Sequence, residues 1–142
     1  MGYMEEYRKW MESPALTAEE HAELAALEGN EKEIQERFFA PLSFGTAGLR
    51  GTMGIGLYKM NRFTVGAATQ GLANLIKQYG PRAMQRGVAI ACDSRLHSDE
   101  YSHLAASILA ANGINVIEYE SLRPVPVLSF AVRTYGTLAG VM

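Results

Sequence analysis

An apolar run, Val88-Ala89-Ile90-Ala91-Cys92, lies near the middle of this 142-residue chain, and the polar residues Asp93-Ser94-Arg95 follow it directly. A short, uninterrupted apolar run is typical of a strand that is buried on both faces of a sheet. Further apolar runs at 114–119 and 137–142 are each separated from the preceding one by a helical pattern. This alternation predicts a mostly parallel sheet with helices on both faces.

The helical patterns have clear start and stop signals. One stripe runs from Thr64 to Tyr79, with Val65, Ala68, Leu72, Leu75, Ile76 and Tyr79 predicted on its inner face. Gly80-Pro81 would end it. Ser98 is predicted to cap the next helix, which Asn112-Gly113 would end, and Pro124 and Pro126 would begin a helix that runs to about Arg133.

The first forty residues follow a different, acidic and helical pattern. Residues 3–12 predict one helix, Thr17-Ala18-Glu19-Glu20 forms a capping box for a second, and Asn30 would cap a third. Such an extension can be a partner or dimer surface, or a flank packed on the main domain, and the prevalence of amphipathic helices as core covers favours the flank. We predict a three-layer α/β/α sandwich with a mixed, mostly parallel sheet of about four strands at 41–142, preceded by a helical extension at 1–40.

A glycine-rich segment, Phe44-Gly45-Thr46-Ala47-Gly48-Leu49-Arg50-Gly51, follows the extension. Glycine permits close backbone approach, so that successive N–H groups can converge on an anion, and Arg50 offers a forked, permanently charged donor. The alternative is a tight turn with a surface arginine. Spacing leaves the two nearly even, because the segment matches neither the P-loop nor the dinucleotide fingerprint.

For each of the other polar candidates, a functional role competes with a structural one. Asp93 and Arg95 follow a predicted strand and would emerge at the carboxyl edge of the sheet, where α/β sheets bind ligands, but an ion pair or a helix cap would also explain them. His97 and His103 are six residues apart, which does not place them on one helix face, and we expect surface histidines. We predict no metal site in this chain, and Cys92 is expected to be a buried, inert thiol.

Composition excludes several classes of protein. The net charge is −2 and no basic stripe is present, which argues against nucleic-acid binding. The chain has neither the pattern of a secretory leader nor an apolar run near the roughly 20 residues of a membrane span. We therefore expect a cytoplasmic protein that does not bind membranes.

Several motifs together resemble the first domain of the α-D-phosphohexomutases, the phosphoglucomutase and phosphomannomutase family. They occur in the family's order from about residue 40 onward: Phe44–Gly51, Met53-Gly54-Ile55-Gly56, Met60-Asn61, Ala68–Ala73, Asp93-Ser94-Arg95, Ala110–Gly113 and Pro124–Arg133. The helical extension is similar to that of the longer bacterial phosphoglucomutases. Lys59 departs from the pattern, because the family usually carries arginine there, and a phosphate contact through its ammonium is doubtful.

The resemblance implies a chemistry. Members interconvert hexose 1-phosphate and hexose 6-phosphate through a phosphoserine and a bisphosphorylated sugar. Arg50 would support catalysis by stabilising charge at the phosphoserine, and Gly45, Thr46 and Gly48 would shape the phosphate cradle. Asp93 and Arg95 would have a lesser role in the same site. The resemblance also implies Mg²⁺ and hexose 1,6-bisphosphate as cofactors of the full-length enzyme, and it favours glucose phosphates as substrates.

The sequence lacks some parts of that machinery. The family's nucleophilic serine is expected just after Met142, so no catalytic nucleophile is predicted within the chain, and the Mg²⁺ motif lies in another domain. We expect an inactive fragment of an intramolecular phosphotransferase that works with the remaining domains of its polypeptide. The alternative is a non-catalytic module for a phosphorylated ligand or a protein partner, whose last strand edge can promote self-association. A flavodoxin-like or dinucleotide-binding domain has little support.

Overall fold

The computed structural model of the protein describes residues 2–46 and 48–142. These residues form two compact units, which divide between Thr64 and Val65. The predicted domain boundary after residue 40 rests on a change in sequence pattern, whereas the two units are divided by how compactly their residues pack. The boundary after residue 40 stays a prediction. In the described part of the chain, no helix is both long and apolar enough to cross a membrane.

The first unit begins with three short helices, α1 (Tyr3–Met11), α2 (Ala18–Ala25) and α3 (Glu31–Phe38). The predicted capping box at Thr17 is present, with the side chains and backbone N–H groups of Thr17 and Glu20 bonded reciprocally. The predicted cap of α3 is also present, because Asn30 Oδ1 accepts a hydrogen bond from the Glu33 N–H at 3.2 Å. Local sequence therefore sets where α2 and α3 begin.

The three helices enclose an apolar core of their own. Leu24 and Phe38 are almost completely buried, and Tyr7 and Trp10 meet Phe38 edge to face. Ile55, from the segment that follows the glycine-rich run, packs into the same core. The extension thus packs against part of the segment that follows it, and its packing on the whole of the main domain stays a prediction.

An ion pair between Glu20 and Arg62 connects the start of α2 to the start of α4 (Arg62–Gln78). Arg62 donates from Nε to Glu20 Oε1 at 2.7 Å and from Nη2 to Glu20 Oε2 at 2.6 Å. These bonds, with the Thr17 N–H as a further donor, lower the pKa of Glu20 to about 2. One carboxylate therefore caps α2 and binds the first residue of α4.

The second unit contains most of α4 and an alternating series of helices and strands. They are α5 (Pro81–Arg86), β3 (Val88–Ile90), α6 (Ser98–Ala111), β4 (Val116–Glu118), α7 (Val125–Tyr135) and β5 (Ala139–Val141). The three strands form one parallel sheet in the order β4-β3-β5, with Val88 opposite both Val116 and Ala139. The predicted parallel pairing is confirmed.

The central strand is covered on both faces. Val88 and Ile90 pack with Ala73 of α4, Ala83 of α5 and Leu109 of α6. The alternate residues of the same run, Ala89 and Ala91, pack with Leu128 and Ala131 of α7. Since successive side chains of a strand point to opposite faces, the unit has three layers, helix, sheet and helix.

Several finer predictions differ from the structure. The predicted mixed sheet of about four strands is not confirmed, because the other two strands, β1 (Phe44–Gly45) and β2 (Gly48–Leu49), pair with each other as a separate antiparallel hairpin. The inner face of α4 is formed by Thr69, Ala73 and Ile76, whereas Leu75 and Tyr79 are exposed. Helix α5 was not predicted, although Pro81 at its first turn is a start signal.

We expect Gly87→Ala to destabilise the chain strongly. Gly87 has φ +68°, and a Cβ there would lie 2.0 Å from the Asn115 carbonyl oxygen, which accepts the Val88 N–H beside it. The predicted loss in the free energy of unfolding is about 3 kcal/mol, measured by urea denaturation. Gly71→Ala is the matched control, because Gly71 lies inside α4 with open space around it, and it should gain about 0.5–1 kcal/mol. Equal effects of the two changes would contradict this packing.

The Glu20 and Arg62 pair predicts a defined acid sensitivity. Because the pKa of Glu20 is depressed in the folded chain, its stabilisation is complete above about pH 4.5 and is lost as the pH falls toward 2. Glu20→Gln should cost about 1–2 kcal/mol at pH 6 and much less at pH 3, by urea denaturation at each pH. Glu19→Gln, in the same helix turn and without an ion pair among the described residues, serves as control. A Glu20→Gln cost that does not change with pH would contradict the assignment.

Candidate phosphate-binding segment

The glycine-rich segment folds as a hairpin in the first unit. Phe44 pairs with Leu49 and Gly45 with Gly48 in an antiparallel hairpin, and Ala47 lies outside the described residues. Gly48 has φ +107°, a conformation that glycine adopts without strain. Thr46 and Gly45 are exposed. The backbone at Gly45 and Thr46 is therefore accessible to a ligand.

Arg50 follows the hairpin directly and is exposed. Within residues 2–46 and 48–142, no hydrogen bond or ion pair of its guanidinium is found, whereas Arg37 and Arg62 are both paired with carboxylates. Arg50 and Lys59 are the only charged residues between positions 39 and 61, so no carboxylate lies near Arg50 along the chain. An accessible, forked donor beside glycine backbone is suited to an oxyanion.

The backbone after Arg50 returns on itself over residues 51–60. The Met60 N–H donates to the Thr52 carbonyl at 2.8 Å, and the Gly54 N–H donates to the Met60 carbonyl at 3.3 Å. A Cβ at Gly51 would lie 2.9 Å from Leu42 Cδ1 and 3.4 Å from the Met60 nitrogen. Gly51 therefore permits the close approach by which this loop, residues 51–60, packs against the base of the hairpin.

Lys59 is held by its own neighbours. Its ammonium donates to Thr52 Oγ1 at 3.0 Å and lies 3.9 Å from Glu33 Oε1, and its side chain is only 16% exposed. Lysine at a position where arginine was expected thus has partners in the protein. This arrangement agrees with the doubt about a phosphate contact through Lys59.

Asn61 is the main support of the loop at 51–60. Its side chain is buried, and its Nδ2 group donates to the carbonyl oxygens of Gly54, Gly56 and Lys59 at 2.9, 2.9 and 3.3 Å. Its Oδ1 accepts the N–H groups of Phe63 and Thr64 at the start of α4. The sequence showed Met60-Asn61 only as a motif, and an Asn preceding a helical stripe was the signal that could have identified a cap.

The second unit holds the other two predicted site residues. Arg95 donates from Nε to Asp93 Oδ2 at 2.8 Å, and its backbone N–H bonds to Asp93 Oδ1 at 3.1 Å. The side-chain bond is the main reason why the pKa of Asp93 is lowered. This is the ion pair that the sequence analysis names as the alternative to ligand binding. Arg95 is nevertheless 72% exposed, so its remaining donors face solvent.

The turn after β3 also corrects one prediction. Ser98 does not cap α6, because the capping position is His97, which has φ +60°. The Ser98 hydroxyl instead accepts a hydrogen bond from the Asp93 N–H at 3.2 Å. His97 pairs with Glu100 and the exposed His103 with Glu118. Across the described ranges, no group of three or more His, Cys, Asp or Glu side chains is placed to hold a metal ion.

Thus four predicted residues, Gly45, Thr46, Gly48 and Arg50, lie on or beside one hairpin, and Asp93 and Arg95 form an ion pair in the other unit. Exposed backbone N–H groups of a glycine-rich turn, with an arginine beside them, are suited to binding an anion such as phosphate. Residues 41–142 match the model of the phosphoglucomutase/phosphomannomutase α/β/α domain I. The chain therefore belongs to this family, within the phosphohexomutase superfamily.

Named relatives agree with the family. The chain is 34% identical to the phosphopentomutase of Pongo abelii over 97% of its own length, and 41% identical to the phosphoglucomutase of Staphylococcus saprophyticus over 79%. It is 40% identical to a probable phosphoribomutase of Schizosaccharomyces pombe over 71%. The matches cover 24%, 20% and 17% of these relatives, so the chain spans at most about a quarter of their length. No solved structure matches.

Proposed function

We propose that this chain supplies domain I of a phosphosugar mutase that interconverts hexose 1-phosphate and hexose 6-phosphate through a phosphoserine and a bisphosphorylated sugar intermediate. The observation that carries the proposal is the match of residues 41–142 to domain I of the phosphoglucomutase and phosphomannomutase family. The relatives' names include both pentose and glucose mutases. We infer glucose phosphates as the preferred substrates, on the resemblance of the extension to that of longer bacterial phosphoglucomutases.

Arg50 is proposed to stabilise the charge that develops on the phosphoryl group. Phosphoryl transfer depends on positioned donors more than on covalent chemistry by the protein, and an arginine that is bound to no carboxylate keeps its donors for the substrate. Thr46 and the N–H groups near Gly45 and Gly48 would supply shorter-range donors. Asp93 would orient Arg95, which is proposed as a lesser phosphate contact.

The nucleophile, Mg²⁺ and hexose 1,6-bisphosphate are assigned to other parts of such a mutase. We infer that the 142 residues do not turn over phosphosugars alone, and that they act in the cytoplasm with the remaining domains.

The catalytic proposal is tested by a domain exchange. The complete chain, residues 1–142, would replace the N-terminal segment of the S. saprophyticus phosphoglucomutase up to the end of the matched region, and we expect the chimera to convert glucose 1-phosphate while the purified 142-residue chain shows no turnover. Arg50→Met in the chimera should lower kcat about 100-fold or more. Arg82→Met is the control, since Arg82 is exposed on α5. A folded chimera that has no mutase activity, or in which Arg50→Met is silent, would contradict the proposal.

Phosphate binding by the isolated chain is a separate expectation. Titration with inorganic phosphate should shift the NMR signals of the Gly45, Gly48 and Arg50 amides, and Arg50→Met should weaken the binding about tenfold because it removes the charged donor. Arg82→Met should leave the affinity unchanged. Phosphate binding together with an inactive chimera would favour the alternative of a non-catalytic phosphate-binding module.

A further inference from the structure

We propose that Arg37 and Glu23, both in the helical extension, are positioning residues that hold the loop at 51–60 and thereby set the place of Arg50. This inference deepens the proposed function and rests on it for its meaning, but the structural coupling can be measured independently. It assigns the extension a role in the phosphate-binding segment, in addition to its role as a packed flank.

The two side chains bind both backbone groups of one loop residue. Arg37 donates from Nη1 to the Ile55 carbonyl at 3.1 Å, and Glu23 Oε1 accepts the Ile55 N–H at 3.1 Å. Arg37 also donates from the same nitrogen to Glu23 Oε1 at 2.5 Å. Ile55 is therefore bonded as a strand residue would be, but its partners are an ion pair from α2 and α3 and not a neighbouring strand.

The loop is shaped to admit this ion pair. Gly54 and Gly56 flank Ile55, and both have φ +142°. A Cβ at Gly56 would lie 2.9 Å from Arg37 Cβ, and one at Gly54 would lie 3.1 Å from Glu23 Oε1. Any side chain at either position would push α3 or Glu23 away from the loop. The glycines of the motif Met53-Gly54-Ile55-Gly56 therefore permit a close contact with the extension.

The contact continues through the backbone toward Arg50. The Tyr58 N–H donates to the Arg37 carbonyl, and the Leu42 N–H donates to the Leu57 carbonyl, both at 2.9 Å. The Met60 N–H bonds to Thr52, two residues after Arg50, at 2.8 Å. Leu42, before the hairpin, is thus bonded to the loop that Arg37 holds, and Thr52, at the start of that loop, is bonded to Met60 at its end.

The charged side chains of this network pair with one another. Glu33 Oε1 accepts a hydrogen bond from Arg37 Nε at 2.9 Å and lies 3.9 Å from the Lys59 ammonium. Arg37 and Lys59 are therefore offset by Glu23 and Glu33, all within one cluster. Arg37 is only 13% exposed, so its charge is committed to this cluster. No carboxylate of the cluster is left over to compete with a phosphate for Arg50.

The test uses the complete 142-residue chain and three variants at the network. In Arg37→Met we expect amide hydrogen exchange at Ile55 and Tyr58 to accelerate at least tenfold, and the NMR signals of the Arg50 and Gly51 amides to shift. Inorganic phosphate should bind several-fold more weakly. Arg37→Lys should recover part of each effect, because it keeps the charge but loses the fork. Glu23→Gln preserves the side-chain shape and provides the same readouts if Arg37→Met does not fold.

Arg8→Met is the matched control, because Arg8 is an exposed arginine of α1, and all these readouts should stay at wild-type values. The inference is overturned if exchange at Ile55 accelerates while the Arg50 and Gly51 signals do not move. A wild-type chain that binds no phosphate counts against the proposed function, whereas the signal shifts at Arg50 and Gly51 still decide whether the extension positions this segment.

Discussion

Residues 39–61 cross the first unit with little regular secondary structure, and their backbone polar groups still need partners. The structure meets this constraint with side chains. Asn61 binds three carbonyl oxygens of the loop, and Arg37 with Glu23 binds both polar groups of Ile55. The core of the extension, in which Ile55 is buried, depends on the same contacts. The side chains that bind the backbone polar groups of this loop therefore connect the helical extension to the glycine-rich segment.

In the second unit, pairing of strands in the sheet provides the hydrogen-bond partners of backbone polar groups. Three strands of three residues each are short, but the central one is buried on both faces and pairs on both sides. Its small residues, Ala89 and Ala91, let α7 approach closely, and Gly140 of β5 allows the same approach because a Cβ there would lie 2.8 Å from Val132. The parallel arrangement places Asp93, which follows β3, at the carboxyl edge of the sheet.

Patterns that act over a few residues were predictable. The caps at Thr17 and Asn30, the end of α6 at Asn112-Gly113 and the parallel strands were all identified from residue type and spacing. The inner face of α4 was predicted less well, because both Leu75 and Ile76 fit an apolar stripe and only packing decides which of them is buried. Ser98 was predicted as a cap, but its hydroxyl is bonded to the backbone of Asp93.

The sequence by itself determined the alternation of strands and helices, the family, and the presence of a glycine-rich turn beside Arg50, because these depend on local pattern and motif order. Only the tertiary structure decided which charges are free. Arg37, Lys59, Arg62 and Arg95 are bound to carboxylates, and Arg50 is not bound in the described part of the chain. The partners of Arg37 at Glu23 and of Arg62 at Glu20 are 14 and 42 residues away, and such pairings depend on how the helices pack and not on spacing along the chain.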